Sequence, residues 1–176
     1  MGDLKAKGLN ERAIKVGMER IEELIEVEDR EDLDERALVQ SHVAQLMFLK
    51  ARRDHTVDGY KKLRAQIRRW PLTKALQKEI LNLESRLVWE GERARRYEYS
   101  FIKSFLTTYP DTYYESQANR HLQRIKFYRE TISEASIGAY KAYLNDPKAD
   151  LEYISEVREL LCNSYLKQES ARDVEP

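Results

Sequence analysis

The chain has 176 residues, of which 35% are charged and 41% hydrophobic, with only six glycines and four prolines. That balance favours long helices with solvated faces over sheets or disorder, and the length suits one domain or a short helical array. A single cysteine, Cys162, excludes a disulfide framework and a Cys-based zinc site, and no run approaches the roughly 18 apolar residues needed to cross a bilayer.

The net charge is zero but unevenly placed. Residues 1–36 hold seven basic and twelve acidic side chains, residues 50–103 fifteen and seven, and residues 134–176 five and nine. An acidic start and an acidic end therefore flank a basic middle. The opening "MGDLKAKGLNER" lacks the apolar stretch of a secretory signal. Its Met1-Gly2 is followed by Ala6 where myristoylation wants Ser or Thr. The expected compartment is the cytoplasm, or the periplasm for a chain trimmed of an export signal.

In chain order, Ile14, Met18, Ile21 and Ile25 share one face of a first helix. The acidic "EVEDREDLDE" reads as a solvated link with helix-start carboxylates. Asp34 is the expected N-cap of a second helix marked by Val39, Val43 and Leu46. A third helix runs through Tyr60, Leu63 and Ile67 to Trp70. Leu72, Leu76, Ile80, Leu83 and Leu87 then form the cleanest amphipathic stripe. Tyr109 precedes Pro110 and so should end its helix. Thr112 and Glu115 of "TYYE" fit a capping box that starts the next one, bearing Tyr114, Ala118, Leu122 and Ile125. Helices joined by so short a turn fold back as an αα-hairpin. Turns are expected near 28–33, 53–58, 70–73, 109–112 and 145–150.

The device repeats. "GYKKLRAQIRRWPLTKALQKEILNLESRLVW" overlays the stretch around Pro110 at an offset of 39 residues, with Tyr60 on Tyr99, Trp70 on Tyr109, Pro71 on Pro110, Thr73 on Thr112 and Leu83 on Leu122. A looser third copy has Pro147, with Asp150 as cap of a helix bearing Leu151, Ile154, Leu161 and Tyr165. Periods of this size mark stacked helical hairpins. In this register Leu83 and Leu122 should both be buried. "FIKSFLTTYPDTYYESQANRHL" resembles the helix–turn–helix junctions of tetratricopeptide (TPR) repeat proteins, over residues 59–165. The period exceeds the usual 34 residues, and Glu98 and Phe105 stand where alanines are usual. The resemblance implies a superhelix that grips peptides or partner subunits; it carries no binding residues across.

No chemistry-bearing pattern emerges. His42, His55 and His121 lack partners at metal-ligand spacing, and no glycine-rich phosphate loop occurs. Cys162, beside Leu161 and Tyr165, reads as a small buried hydrophobe. The tyrosines crowding residues 97–128 read as hairpin packing first and as a partner surface second. The clustered arginines suit an acidic peptide groove, nucleic-acid phosphates and bases, or the acidic ends of sister copies.

The expected fold is all-α: antiparallel helical hairpins stacked as a short TPR-like α-solenoid. It would form a single helical domain over 1–176, with an N-terminal hairpin and its acidic linker over 10–52, TPR-like repeats over 59–168 and a flexible tail over 169–176. The expected function is a non-enzymatic scaffold or adaptor binding another protein, with no cofactor, no metal and no membrane span. A helical nucleic-acid-binding subunit is the alternative. The candidate partner-binding residues are Arg64, Arg68, Arg93, Arg96, Tyr97, Tyr99 and Tyr113. Several of Arg64, Arg68, Arg93 and Arg96 should share one exposed side of adjacent helices.

Overall fold

A computed structural model describes residues 2–25 and 30–172, and every regular element in them is helical. The helices are α1 (Gly2–Glu23), α2 (Arg30–Asp54), α3 (Val57–Ile67), α4 (Lys74–Gly91), α5 (Tyr99–Thr108), α6 (Glu115–Glu134), α7 (Ile137–Asn145) and α8 (Leu151–Arg172), with a 3₁₀ turn at Arg93–Tyr97. They pair as α1 with α2, α3 with α4, α5 with α6 and α7 with α8. The chain divides into two compact units, Met1–Gly91 and Glu92–Pro176, each holding two such pairs. The boundary falls between the two best copies of the 39-residue repeat.

In the first unit α2 contacts α3, which joins the two hairpins. Its core gathers Ala44, Phe48, Tyr60, Leu63, Ile67 and Ile80, with Trp70, Leu76, Leu83 and Leu87 packed around them. Gly17 lets α1 and α2 approach closely, because a Cβ there would collide with Val43 Cγ2. Thr56 caps α3 by accepting from the Gly59 amide at 3.1 Å. In the second unit α6 contacts α7. Phe101, Ile102, Phe105 and Tyr109 are buried along α5, and Tyr140, Tyr143 and Val157 form the heart of the α7–α8 pair.

The two proline turns are built alike. Leu72 and Asp111, each just after the proline, take left-handed backbone with φ of 60° and 56°. Thr73 Oγ1 donates to the Trp70 carbonyl at 2.7 Å, and Thr112 Oγ1 donates to that of Tyr109 at 3.0 Å. Each threonine hydroxyl thus satisfies a carbonyl left open where its helix ends. The capping box is not the expected one. α6 starts at Glu115, and the Glu115 carboxylate accepts from the Asp111 amide at 2.8 Å rather than from Thr112. Asp150 does cap α8, accepting from the Glu152 amide at 3.2 Å.

Other expectations need revision. α2 begins at Arg30, so Asp34 lies inside it and is no N-cap; residues 26–29 of the acidic link lie outside the described residues. Two further breaks occur. Residues 92–98 turn after Gly91, and Ala135 adopts left-handed backbone (φ 50°) before Ser136 caps α7. Leu83 and Leu122 are half-buried, not buried; Ile80 and Ala118, three and four residues earlier, sit at the centre of their interfaces. Along α8 the buried residue is Val157, whereas Leu151 is 83% exposed. Cys162 is exposed. α8 continues through Arg172, into the stretch expected as a tail.

Candidate functional site

The seven candidate residues do not behave as one set. Arg64 turns inward: its guanidinium meets the fully buried Glu84 of α4, with Nε at 3.1 Å from Oε2 and an N–H donating to Oε1 at 3.3 Å. A guanidinium paired with a buried carboxylate across two helices is a structural pair, so Arg64 braces the α3–α4 hairpin. Arg68, on the same unit, is exposed. Arg93 is exposed and Arg96 half-buried, both in the 3₁₀ turn of the second unit. Other arginines of the basic middle are answered nearby: Arg86 by Glu90, and Arg95 by Glu92 and Glu98. These pairs draw on the acidic residues of the same segment, so its excess of basic charge remains.

The tyrosines separate too. Tyr113 is 86% exposed and meets Tyr114 edge to face. Tyr97 and Tyr99 line one cleft of about 380 Å³, together with Tyr128 and Arg129 of α6 and Tyr153 of α8. Three features hold its walls. Tyr128 and Tyr153 lie stacked with centroids 4.0 Å apart. The Tyr153 hydroxyl donates to the Tyr97 carbonyl at 3.2 Å, tying α8 to the 3₁₀ turn. Arg129 spreads over the Tyr99 ring, its guanidinium carbon 4.6 Å from the centroid. Burial, reinforced by a hydrogen bond to Glu156, pushes the Tyr128 hydroxyl above its ordinary value. Burial also raises Tyr153. Both phenols stay protonated at neutral pH and present donors.

One helical turn before Ile125, which also lines the cleft, α6 carries His121. Its ring meets Tyr97 edge to face at 5.9 Å, so Tyr97 stands between the cleft and the histidine. Burial holds His121 below the usual histidine value; Arg124, Arg96 and Arg120 push the same way, and Asp150 opposes them. Asp150 is buried and anchored: its amide donates to the Tyr143 hydroxyl at 3.1 Å, and its carboxylate faces Arg124 at 3.7 Å. Sequence inspection missed this grouping of His121, Arg120, Arg124 and Asp150. Its one visible signal was the cap at Asp150, which fixes where that carboxylate must sit.

The first unit has a larger groove, about 690 Å³, whose walls include Ile25, Leu33, Trp70 and Pro71. Glu22 and Asp34 oppose Arg36 and Arg69 on its walls, so it offers no net sign. Among the described residues no three His, Cys, Asp or Glu side chains gather as a metal site, and no helix is long and apolar enough to cross a membrane.

Fold and site together define an all-α protein of paired helices with a tyrosine-walled cleft in its second unit. Comparison with protein-family models, characterised proteins and solved structures finds no match.

Proposed function

We propose that the chain is a non-enzymatic, TPR-like helical adaptor that holds a segment of another protein in the cleft of its second unit. The observation that carries this reading is the cleft itself: four tyrosines and Arg129 around about 380 Å³. Tyrosine and arginine supply wide, rigid contact area with polar tips at little entropic cost, and for that reason they dominate binding hot spots. The wall is already fixed by the Tyr128–Tyr153 stack and the Tyr153–Tyr97 hydrogen bond, so little ordering is left to be done on binding. The TPR likeness of the proline turns points to the same kind of task.

The test is affinity capture from native lysate, with and without nuclease, using the parent chain and Tyr99→Ala. A protein that persists after nuclease and is lost with Tyr99→Ala, at unchanged melting temperature, supports the adaptor. The expected loss is about 2 kcal/mol, roughly thirtyfold, as for a hot-spot aromatic. Loss of every captured protein on nuclease treatment would instead support a nucleic-acid-binding subunit and refute this reading.

A further inference from the structure

The groove of the first unit holds a buried amide that the fold does not use. Met18 and Ile21 of α1 and Trp70 and Pro71 beyond α3 give apolar walls to a space of about 690 Å³. Ile25 and Leu33 line it while staying 56% and 49% exposed. Gln40 of α2 lines the same groove and is only 4% exposed. Among the described residues its side-chain amide has no hydrogen-bond partner, yet neither of its polar atoms is sealed from solvent. The amide therefore opens on the groove. Keeping a buried amide without a partner is unfavourable, so its place here calls for a partner from outside the fold.

We propose that this groove binds an extended peptide segment of another protein, an apolar side chain of the segment filling the space while the N–H and C=O of one of its backbone residues pair with the Gln40 amide. The site goes beyond the cleft of the second unit and does not rest on it.

A primary amide carries a donor and an acceptor side by side. In an extended chain the N–H and C=O of one residue leave the same edge, as strand pairing requires, so the two groups match as a pair of hydrogen bonds. Main-chain bonds combined with a pocket for a side chain are a general mode of peptide recognition. The charges favour a peptide as well. Glu22, Asp34, Arg36 and Arg69 all line the groove, and among the described residues none of them is in an ion pair. A segment with a basic flank and an acidic flank complements both signs. The two carboxylates would instead repel a nucleic-acid strand or an anionic membrane.

The probe is N-acetyl-leucine N′-methylamide, titrated into the isotope-labelled full chain and followed by NMR at the Gln40 side-chain amide and the Trp70 indole. Saturable shifts at both are expected. A peptide that flanks the leucine with lysine on one side and glutamate on the other should bind several-fold tighter. Gln40→Met keeps the length of the side chain and removes the amide. It should weaken binding of the blocked leucine roughly tenfold, as for two hydrogen bonds, and melt at or above the parent temperature, because no bond inside the fold is lost. Leu33→Ala, at an exposed position, should weaken binding several-fold and melt with the parent. Absent shifts overturn the proposal. So does a Gln40→Met chain that binds like the parent, or isoamyl alcohol binding as tightly as the blocked leucine, since the groove is then only an apolar hollow. A destabilised Gln40→Met chain would show that the amide already serves the fold, and the proposal falls. If the same resonances move on raising the protein concentration without probe, the groove is an interface between copies and the peptide assignment falls.

Discussion

Arg64→Ala should unfold the first unit far more readily than any exposed arginine change. Glu84 is fully buried, and the Arg64 side chain over it keeps 32% of its exposure. Removing the guanidinium takes this counter-charge from a carboxylate in a low-dielectric interface, which costs about 3–5 kcal/mol for a fully buried pair. Water reaching the exposed part of Arg64 softens that, so about 3 kcal/mol is expected here. For a domain of this size each kcal/mol corresponds to about 4–8 °C in Tm, giving a fall of roughly 12–24 °C. Both tryptophans of the chain, Trp70 and Trp89, lie in this unit, and Trp89 is 1% exposed, so urea unfolding followed by tryptophan fluorescence reads it specifically. Arg64→Met combined with Glu84→Leu should recover most of the loss, because no charge is then left buried. Arg68→Ala, a few residues away and exposed, should stay within about 0.5 kcal/mol. If Arg64→Ala unfolds with the parent, Arg64 is a surface residue and the bracing role is wrong.

Gly17→Ala should destabilise the first unit by about 1–3 kcal/mol, measured the same way, since the added methyl collides with Val43, which is 2% exposed, and something in that packed interface must shift. Leu72→Gly should stabilise it by up to about 1 kcal/mol, because Leu72 is 67% exposed and held at φ 60°, where a Cβ is unfavourable. The pH dependence of the second unit should carry the mark of His121. Its folded pKa lies below its unfolded value near 6.5, so the unfolded chain binds the extra proton. Its contribution is therefore complete above about pH 6.5 and lost as pH falls toward the lower folded value, at no more than about 1.4 kcal/mol per pH unit. His121→Gln should flatten that part of a chemical-denaturation series between mildly acidic and neutral pH, and an unchanged slope would contradict the assigned surroundings.

The turns were legible because proline acts locally. Trp70-Pro71 and Tyr109-Pro110 each force the preceding residue out of helical backbone, and the matching threonines two residues beyond each proline bond back to the helix they leave. The similarity at 39 residues thus reflects a shared turn geometry, down to the left-handed residue after each proline. Packing positions were less legible, since a helical stripe is wide and its centre depends on the neighbour. Ile80 lies at the centre where Leu83 lies at the edge, and Val157 was passed over for flanking Leu151 and Leu161. The break at 92–98 was hidden by "ERARR", all good helix formers, with only Gly91 to mark it. The charge asymmetry misled in a different way. Counting charges along the chain cannot show that Arg64 faces a buried glutamate twenty residues on, or that Arg124 of α6 meets Asp150 at the start of α8. The cleft was half visible, since Tyr97 and Tyr99 were singled out, but their partners Tyr128 and Tyr153 arrive from α6 and α8.

The most direct measurement is site-specific photo-crosslinking in nuclease-treated native lysate, with a benzophenone amino acid at Ser100, an exposed residue lining the cleft, and a control at exposed Lys167 of α8. The adaptor account predicts a discrete protein adduct from Ser100 that is missing from the control and disappears when Tyr99→Ala is introduced. Equal adducts from both positions, or none from Ser100 under conditions where the control chain is folded and labelled, would contradict it.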